Sequence, residues 1–174
     1  KLLGGAFGWL GGNQLTLRAL ELVRHVSSSE VISEMLDALR EIAEAHATSH
    51  RWKEQLPSVE ELVSHAEQHT GAVFSFACRA GGRVSNAERP MITGLGRYGF
   101  HIGVAFHLYE DLRLLSLPKE EVLHAIEERA AQHRPLYPLC LVGEQDPQIA
   151  PLWSSLCKEE DKVIAENLLN RLEQ

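Results

Sequence analysis

The chain has 174 residues, 44% of them hydrophobic, which is enough to bury one sizeable core, so residues 1–174 are read as a single domain. Its 24 acidic and 17 basic side chains give a net charge of −7 with no block of one sign, which argues against nucleic acid as a partner. No run of about eighteen apolar residues occurs, so no membrane span is predicted. The three cysteines, Cys78, Cys140 and Cys157, are odd in number and form no CxxC pair, which favours a reducing cytoplasm.

In chain order, the apolar run 2–10 begins beside Lys1 without a helix cap, so the chain is expected to be part of a longer protein. Leu15, Ala19, Leu22 and Val26, then Val31, Met35, Leu39 and Ile42, recur at helical spacing and predict two amphipathic helices. Ser27, Ser28 and Ser29 offer a cap for the second. Pro57 and Ser58 open a helix expected to run through Leu62 and Ala66 beyond Thr70. The apolar run 72–77 is expected to end at Gly81-Gly82. The next helix should open near Ser85, whose side chain would accept from the Glu88 N–H, and continue past Phe106. Pro118 begins a helix through Val122, Ile126 and Ala130. Pro135 and Pro138 then break the pattern before two last helices near 146–156 and 159–172. The sum is an all-α bundle of seven or eight helices.

Chemistry concentrates on the helix after Ser85. Gly96, Gly99 and Gly103 share one face, where a neighbouring backbone or a bulky ligand can approach closely. His107, Glu110 and Asp111 stand at i, i+3 and i+4, so an imidazole and two carboxylates can converge, as hard cations prefer; the same carboxylates also read as a solvated surface patch. His46 with His50, and His65 with His69, are i, i+4 pairs that would suit zinc if their helices faced one another. Their place at helix ends beside Arg51 and Lys53 favours exposed histidines instead. No G-x-S-x-G elbow occurs and each cysteine sits among apolar neighbours, which argues against nucleophilic catalysis. Phe74, Phe76, Tyr98, Phe100 and Phe106 suit either a plain core or the wall of a hydrophobic tunnel.

The stretch from Gly96 through Gly103, Ala105, Phe106 and His107 to Glu110-Asp111 resembles the segment carrying the second aspartate-rich motif of trans-isoprenyl (polyprenyl) diphosphate synthases, G…G-x-A-F-Q-x-x-D-D-x-x-D. Upstream, His69-Thr70-Gly71-Ala72-Val73-Phe74 is similar to the family's K-T-A-x-L-F helix, and Gly12-Asn13-Gln14-Leu15 to its G-D-x-L-L segment. Downstream, Arg134-Pro135-Leu136-Tyr137-Pro138 stands where the family has K-x-T-L-P. The four matches occur in order and cover nearly the whole chain.

The resemblance implies an isoprenoid-synthase-type antiparallel helix bundle around a central cavity, of which this would be the C-terminal part, with N-terminal helices missing. It implies prenyl transfer from an allylic diphosphate to isopentenyl diphosphate in isoprenoid biosynthesis, by a homo- or heterodimer using Mg2+. Glu110 and Asp111 would be metal ligands, and His69, Thr70, Phe106, His107 and Arg134 would bind substrate. The two segments 69–70 and 106–111 would face each other at the mouth of the cavity. Several positions depart from the family pattern. Leu114 replaces the third aspartate, with Arg113 beside it. His107 replaces a glutamine, His69 a lysine and Asn13 an aspartate. Residues 45–49 keep nothing of the family's G-Q-x-x-D, and the first aspartate-rich motif would lie ahead of Lys1. The expectation is reduced or lost prenyl transfer, or a non-catalytic subunit that pairs with an active synthase; a cyclase or other prenyl-binding protein on the same bundle is a third option.

Overall fold

Helices α1 (Gly5–Val26) and α2 (Ser29–Ser49) open the computed structural model, which describes residues 5–26, 29–159 and 161–173. Ser27 and Ser28, two of the three serines read as a cap for α2, lie outside the described residues, as do residues 2–4 of the first apolar run. A 3-10 turn (His50–Lys53) leads to α3 (Val59–Ala66). Ser58 caps α3 reciprocally: its hydroxyl accepts from the Glu61 N–H at 3.1 Å, and Glu61 Oε2 accepts from the Ser58 N–H at 3.0 Å. After Ala66 the helix widens into a π-helical turn (Glu67–Gly71) before continuing as α4 (Ala72–Val84). One extra residue is thereby inserted at the segment that carries His69 and Thr70.

The Gly81-Gly82 pair does not end α4, contrary to expectation. Gly82 is buried inside the helix because a Cβ there would lie 3.0 Å from Leu95 Cδ1 and 3.2 Å from Ile92 Cγ1. The turn follows at Ser85 and Asn86, where Asn86 takes a positive φ of 55°. Ser85 does not cap the next helix either: its hydroxyl donates back to the Gly81 carbonyl. Helix α5 (Arg89–Leu114) starts later, with Pro90 in its first turn.

Helix α6 (Lys119–Ala131) follows Pro118 as expected. Pro138 starts a helix instead of only breaking one: it lies in the first turn of α7 (Tyr137–Gly143), where its missing N–H costs nothing. The chain closes with α8 (Ile149–Glu159) and α9 (Lys162–Leu172). No strand occurs among the described residues, so the all-α reading holds.

The apolar core is divided unequally. Val122, Ile126, Leu136, Leu139, Trp153 and Leu168 are among the residues that knit α6 to α9 together, and Trp52, Leu62 and Cys140 form a smaller cluster that joins α3 to α7. Trp153 links the two regions by donating its indole N–H to the Trp52 carbonyl at 2.6 Å. By contrast, α4 and α5 meet through backbone. A Cβ on Gly99 would fall 2.4 Å from the Phe74 carbonyl oxygen, and one on Gly103 would fall 2.6 Å from that of Thr70. The glycine face therefore serves helix approach. Gly99→Ala should cost about 3 kcal/mol, since backbone cannot yield to the added methyl. Gly94→Ala, whose methyl would meet nothing within 4 Å, should gain about 0.5–1 kcal/mol from helix propensity alone. Urea unfolding of the two variants measures the contrast.

Candidate functional site

Close approach at Gly103 holds the π turn against α5, and one turn further along α5 this brings Thr70 to His107. The Thr70 hydroxyl lies 2.8 Å from His107 Nδ1 and 3.3 Å from His69 Nδ1. Segments 69–70 and 106–111 are thus adjacent. Arg134, in the loop after α6, reaches the same place and contacts His46 Nε2 on α2.

Around these groups four imidazoles assemble. Ring centroids of His46 and His69 are 4.9 Å apart and stacked, those of His65 and His69 5.6 Å, His65 and His107 6.1 Å, and His69 and His107 6.2 Å. The sequence expectation of exposed helix-end pairs fails for His65, which is 5% exposed and packs its ring on Trp52. Its spacing had signalled this, because His65 follows Leu62 by three residues and adjoins Ala66, both core positions. His46 came to the cluster from a distant helix, with no local signal. His50 goes elsewhere and meets His133 edge-on.

Burial and mutual proximity keep the cluster neutral. Burial, then His69 and Arg134, hold His65 down to about 3, with His107 and His46 adding to the effect. Burial, then Arg134, His46 and His107, hold His69 down to about 4. His46 is lowered by burial and by Arg134. Burial also lowers His107, where Asp111 pulls upward and Arg129 and Arg134 push down. Burial and the neighbouring Arg129 lower Arg134 itself.

The two carboxylates expected to hold a metal are otherwise engaged. Asp111 is 1% exposed; its Oδ1 accepts from Arg129 Nη2 at 2.7 Å and its Oδ2 from the Tyr137 N–H at 2.9 Å. Arg129, which sequence reasoning did not single out, and the Tyr137 N–H, from the segment matched to K-x-T-L-P, thus claim both oxygens. Glu110 faces its own helix neighbour Arg113, with contacts of 3.2 and 3.0 Å. Among the described residues no group of three or more His, Cys, Asp or Glu is arranged to hold a metal ion. These residues, as placed, do not fit magnesium.

Phe106 turns away from the histidines. It is 48% exposed and stacks on Phe74 at 5.6 Å. Tyr98 is also exposed, whereas Phe100 lies over Gly71, so the aromatics do not share one wall. A depression of about 560 Å3 lies further along α4 and α5 and is lined by Ser75, Arg79, Gly96, Arg97, Phe100 and others. Its edge is charged. Burial alone would raise the Glu34 carboxyl, but Arg83 at 2.7 Å and Arg79 together outweigh it and hold it below its ordinary value.

The family model described as "Polyprenyl synthetase" matches residues 2–164. The chain belongs to the polyprenyl synthetase family. Curated relatives include a (2E,6E)-farnesyl diphosphate synthase of Mycobacterium tuberculosis, 28% identical over 115 residues, 64% of this chain and 32% of the relative. A short chain isoprenyl diphosphate synthase of Methanothermobacter thermautotrophicus is 30% identical over 115 residues, covering 63% of this chain and 35% of the relative. The matched segment thus spans about a third of the length of these relatives. No solved structure matches the chain at the same stringency. The family's fold is all-α, in keeping with the bundle described above.

Two expected outcomes test this geometry. Asp111→Asn should destabilise the protein by about 3 kcal/mol, because it strips the carboxylate from a half-buried Arg129, whereas Glu110→Gln should stay within about 0.5 kcal/mol. Urea denaturation compares them. Histidines whose folded pKa lies below the unfolded value bind fewer protons folded than unfolded, so stability should fall as pH drops through the unfolded value towards 4 and 3. At pH 5 the loss from His65 is on the order of 2 kcal/mol relative to pH 8. His65→Phe should flatten this dependence in thermal melts recorded in phosphate-free buffers.

Proposed function

We propose that this chain is the diphosphate-facing part of a polyprenyl synthetase-like protein of isoprenoid biosynthesis in which prenyl transfer is reduced or lost. The reaction in question joins an allylic diphosphate to isopentenyl diphosphate. The observation that carries the reading is Asp111: the carboxylate at the aspartate-rich position is buried and bound by Arg129 and the Tyr137 N–H, so it is withdrawn from metal binding. What remains suited to a diphosphate is the Arg134 guanidinium, the Thr70 hydroxyl and the imidazoles of His69 and His107. They can bind and orient an oxyanion, while Phe106 stands outside that group. Magnesium, which ionisation of an allylic diphosphate requires in this family, would have to be held by carboxylates other than Asp111.

A non-catalytic partner role is supported by α5. Met91, Tyr98, Ile102, Phe106, Tyr109 and Leu112 leave an exposed apolar stripe along that helix, a surface suited to a homo- or heterodimeric contact with a synthase. The three free cysteines fit a cytoplasmic location. No helix among the described residues is long and apolar enough to cross a membrane.

The test is incorporation of labelled isopentenyl diphosphate by the full-length protein, with magnesium and allylic primers of increasing length. Turnover should fall about a hundredfold or more below that of a synthase with free aspartates. Turnover at the level of such a synthase overturns the reading. For the partner role, mixing with an active synthase should shift its product length, and a strictly monomeric protein without that effect counts against it.

A further inference from the structure

We infer that the four histidines around Arg134 form a magnesium-independent oxyanion site, for the phosphate or diphosphate class, which takes up protons as its ligand binds. The inference rests on the reading of this face as diphosphate-facing and adds how the ligand is held.

Three observations carry it. First, His65 is nine-tenths buried, yet neither of its ring nitrogens has a hydrogen-bond partner. A buried polar group normally finds one, and this ring lies within 5.6 Å of His69 and 6.1 Å of His107, centroid to centroid. Second, Arg134 is half-buried and has no carboxylate partner among the described residues; its guanidinium meets the His46 imidazole. Asp111, the buried carboxylate on α5, already serves Arg129. A half-buried cation without a carboxylate, among neutral donors, attracts an anion and repels a metal cation. Third, Thr70 adds a hydroxyl between His69 and His107, so donors arrive from α2, α3, the π turn, α5 and the α6–α7 loop.

The charged and titratable groups facing the cluster are His46 from α2, His65 from α3, His69 from the π turn, His107 and Asp111 from α5, Arg129 from α6, and Arg134. Without a ligand, Arg134 and the crowding of imidazoles oppose protonation. An oxyanion among them reverses the sign of that interaction, so a proton passes from a buffer acid to a ring nitrogen, its bond to the acid being replaced by an N–H bond; the imidazolium then donates to the oxyanion, and no other covalent bond changes.

The experiment is titration calorimetry of the full-length protein with inorganic pyrophosphate in EDTA, at pH 6 and pH 8, in two buffers of unequal ionisation enthalpy. Uptake of one proton or more at pH 6 is expected, with affinity about tenfold tighter than at pH 8. His69→Gln, which cannot charge, should lose most of the difference, and His69→Lys should bind with little pH dependence. The ligand's own titration is common to all three proteins. Isopentenyl diphosphate serves as a second arm. Equal affinity for the two ligands assigns the site to the free anion, and tighter binding of isopentenyl diphosphate with the same proton uptake assigns it to a prenyl ligand. Pyrophosphate binding that needs magnesium, or that takes up no proton, overturns the inference but leaves the diphosphate-facing reading standing. Absence of binding at either pH, with or without magnesium, overturns both.

Discussion

The carboxylate of Asp111 holds three helices in one arrangement. It sits on the last turns of α5, receives the Arg129 guanidinium from α6, and accepts the first N–H of α7. A buried carboxylate is tolerated only when both oxygens are satisfied, and the helix N-terminus supplies a partial positive charge for one of them. The contact therefore fixes where α6 ends and α7 begins, and with them the loop that carries Arg134. One turn back along the same helix, His107 takes its place from the same constraint.

A second constraint sets how close α4 and α5 can come. Carbonyls of Phe74 and Thr70 lie where any side chain on Gly99 or Gly103 would stand. The π turn shifts the register of the chain just before α4, so that the Thr70 hydroxyl meets His107. Helix geometry thus places the polar groups, and packing of large side chains contributes little there. The bulky core lies elsewhere, among α6 to α9.

Together the two constraints change the sign of the site. A magnesium site on this face would need free carboxylates, because hard cations take oxygen ligands. Here Asp111 is spent on Arg129, Glu110 lies against Arg113, and the groups left facing one another are imidazoles and a guanidinium. Imidazoles and a guanidinium are donors suited to oxyanions, and hard cations prefer the carboxylate oxygens that are engaged here.

Much of this was legible in the residues. Helical periodicity and the Ser58 cap placed α2, α3 and α6 and the bodies of α4 and α5, though not the turn between them, and the spacing of Gly96, Gly99 and Gly103 signalled a close approach, because both follow from local geometry. The order of four motif-like segments gave the family, which the match over residues 2–164 bears out. Tertiary structure alone decided what each polar residue does. Whether Asp111 meets solvent, a metal or Arg129 depends on a helix eighteen residues away, and His46 meets Arg134 across eighty-eight residues. Side chains choose partners by distance in space. Spacing along the chain reports only the face of a helix on which they stand.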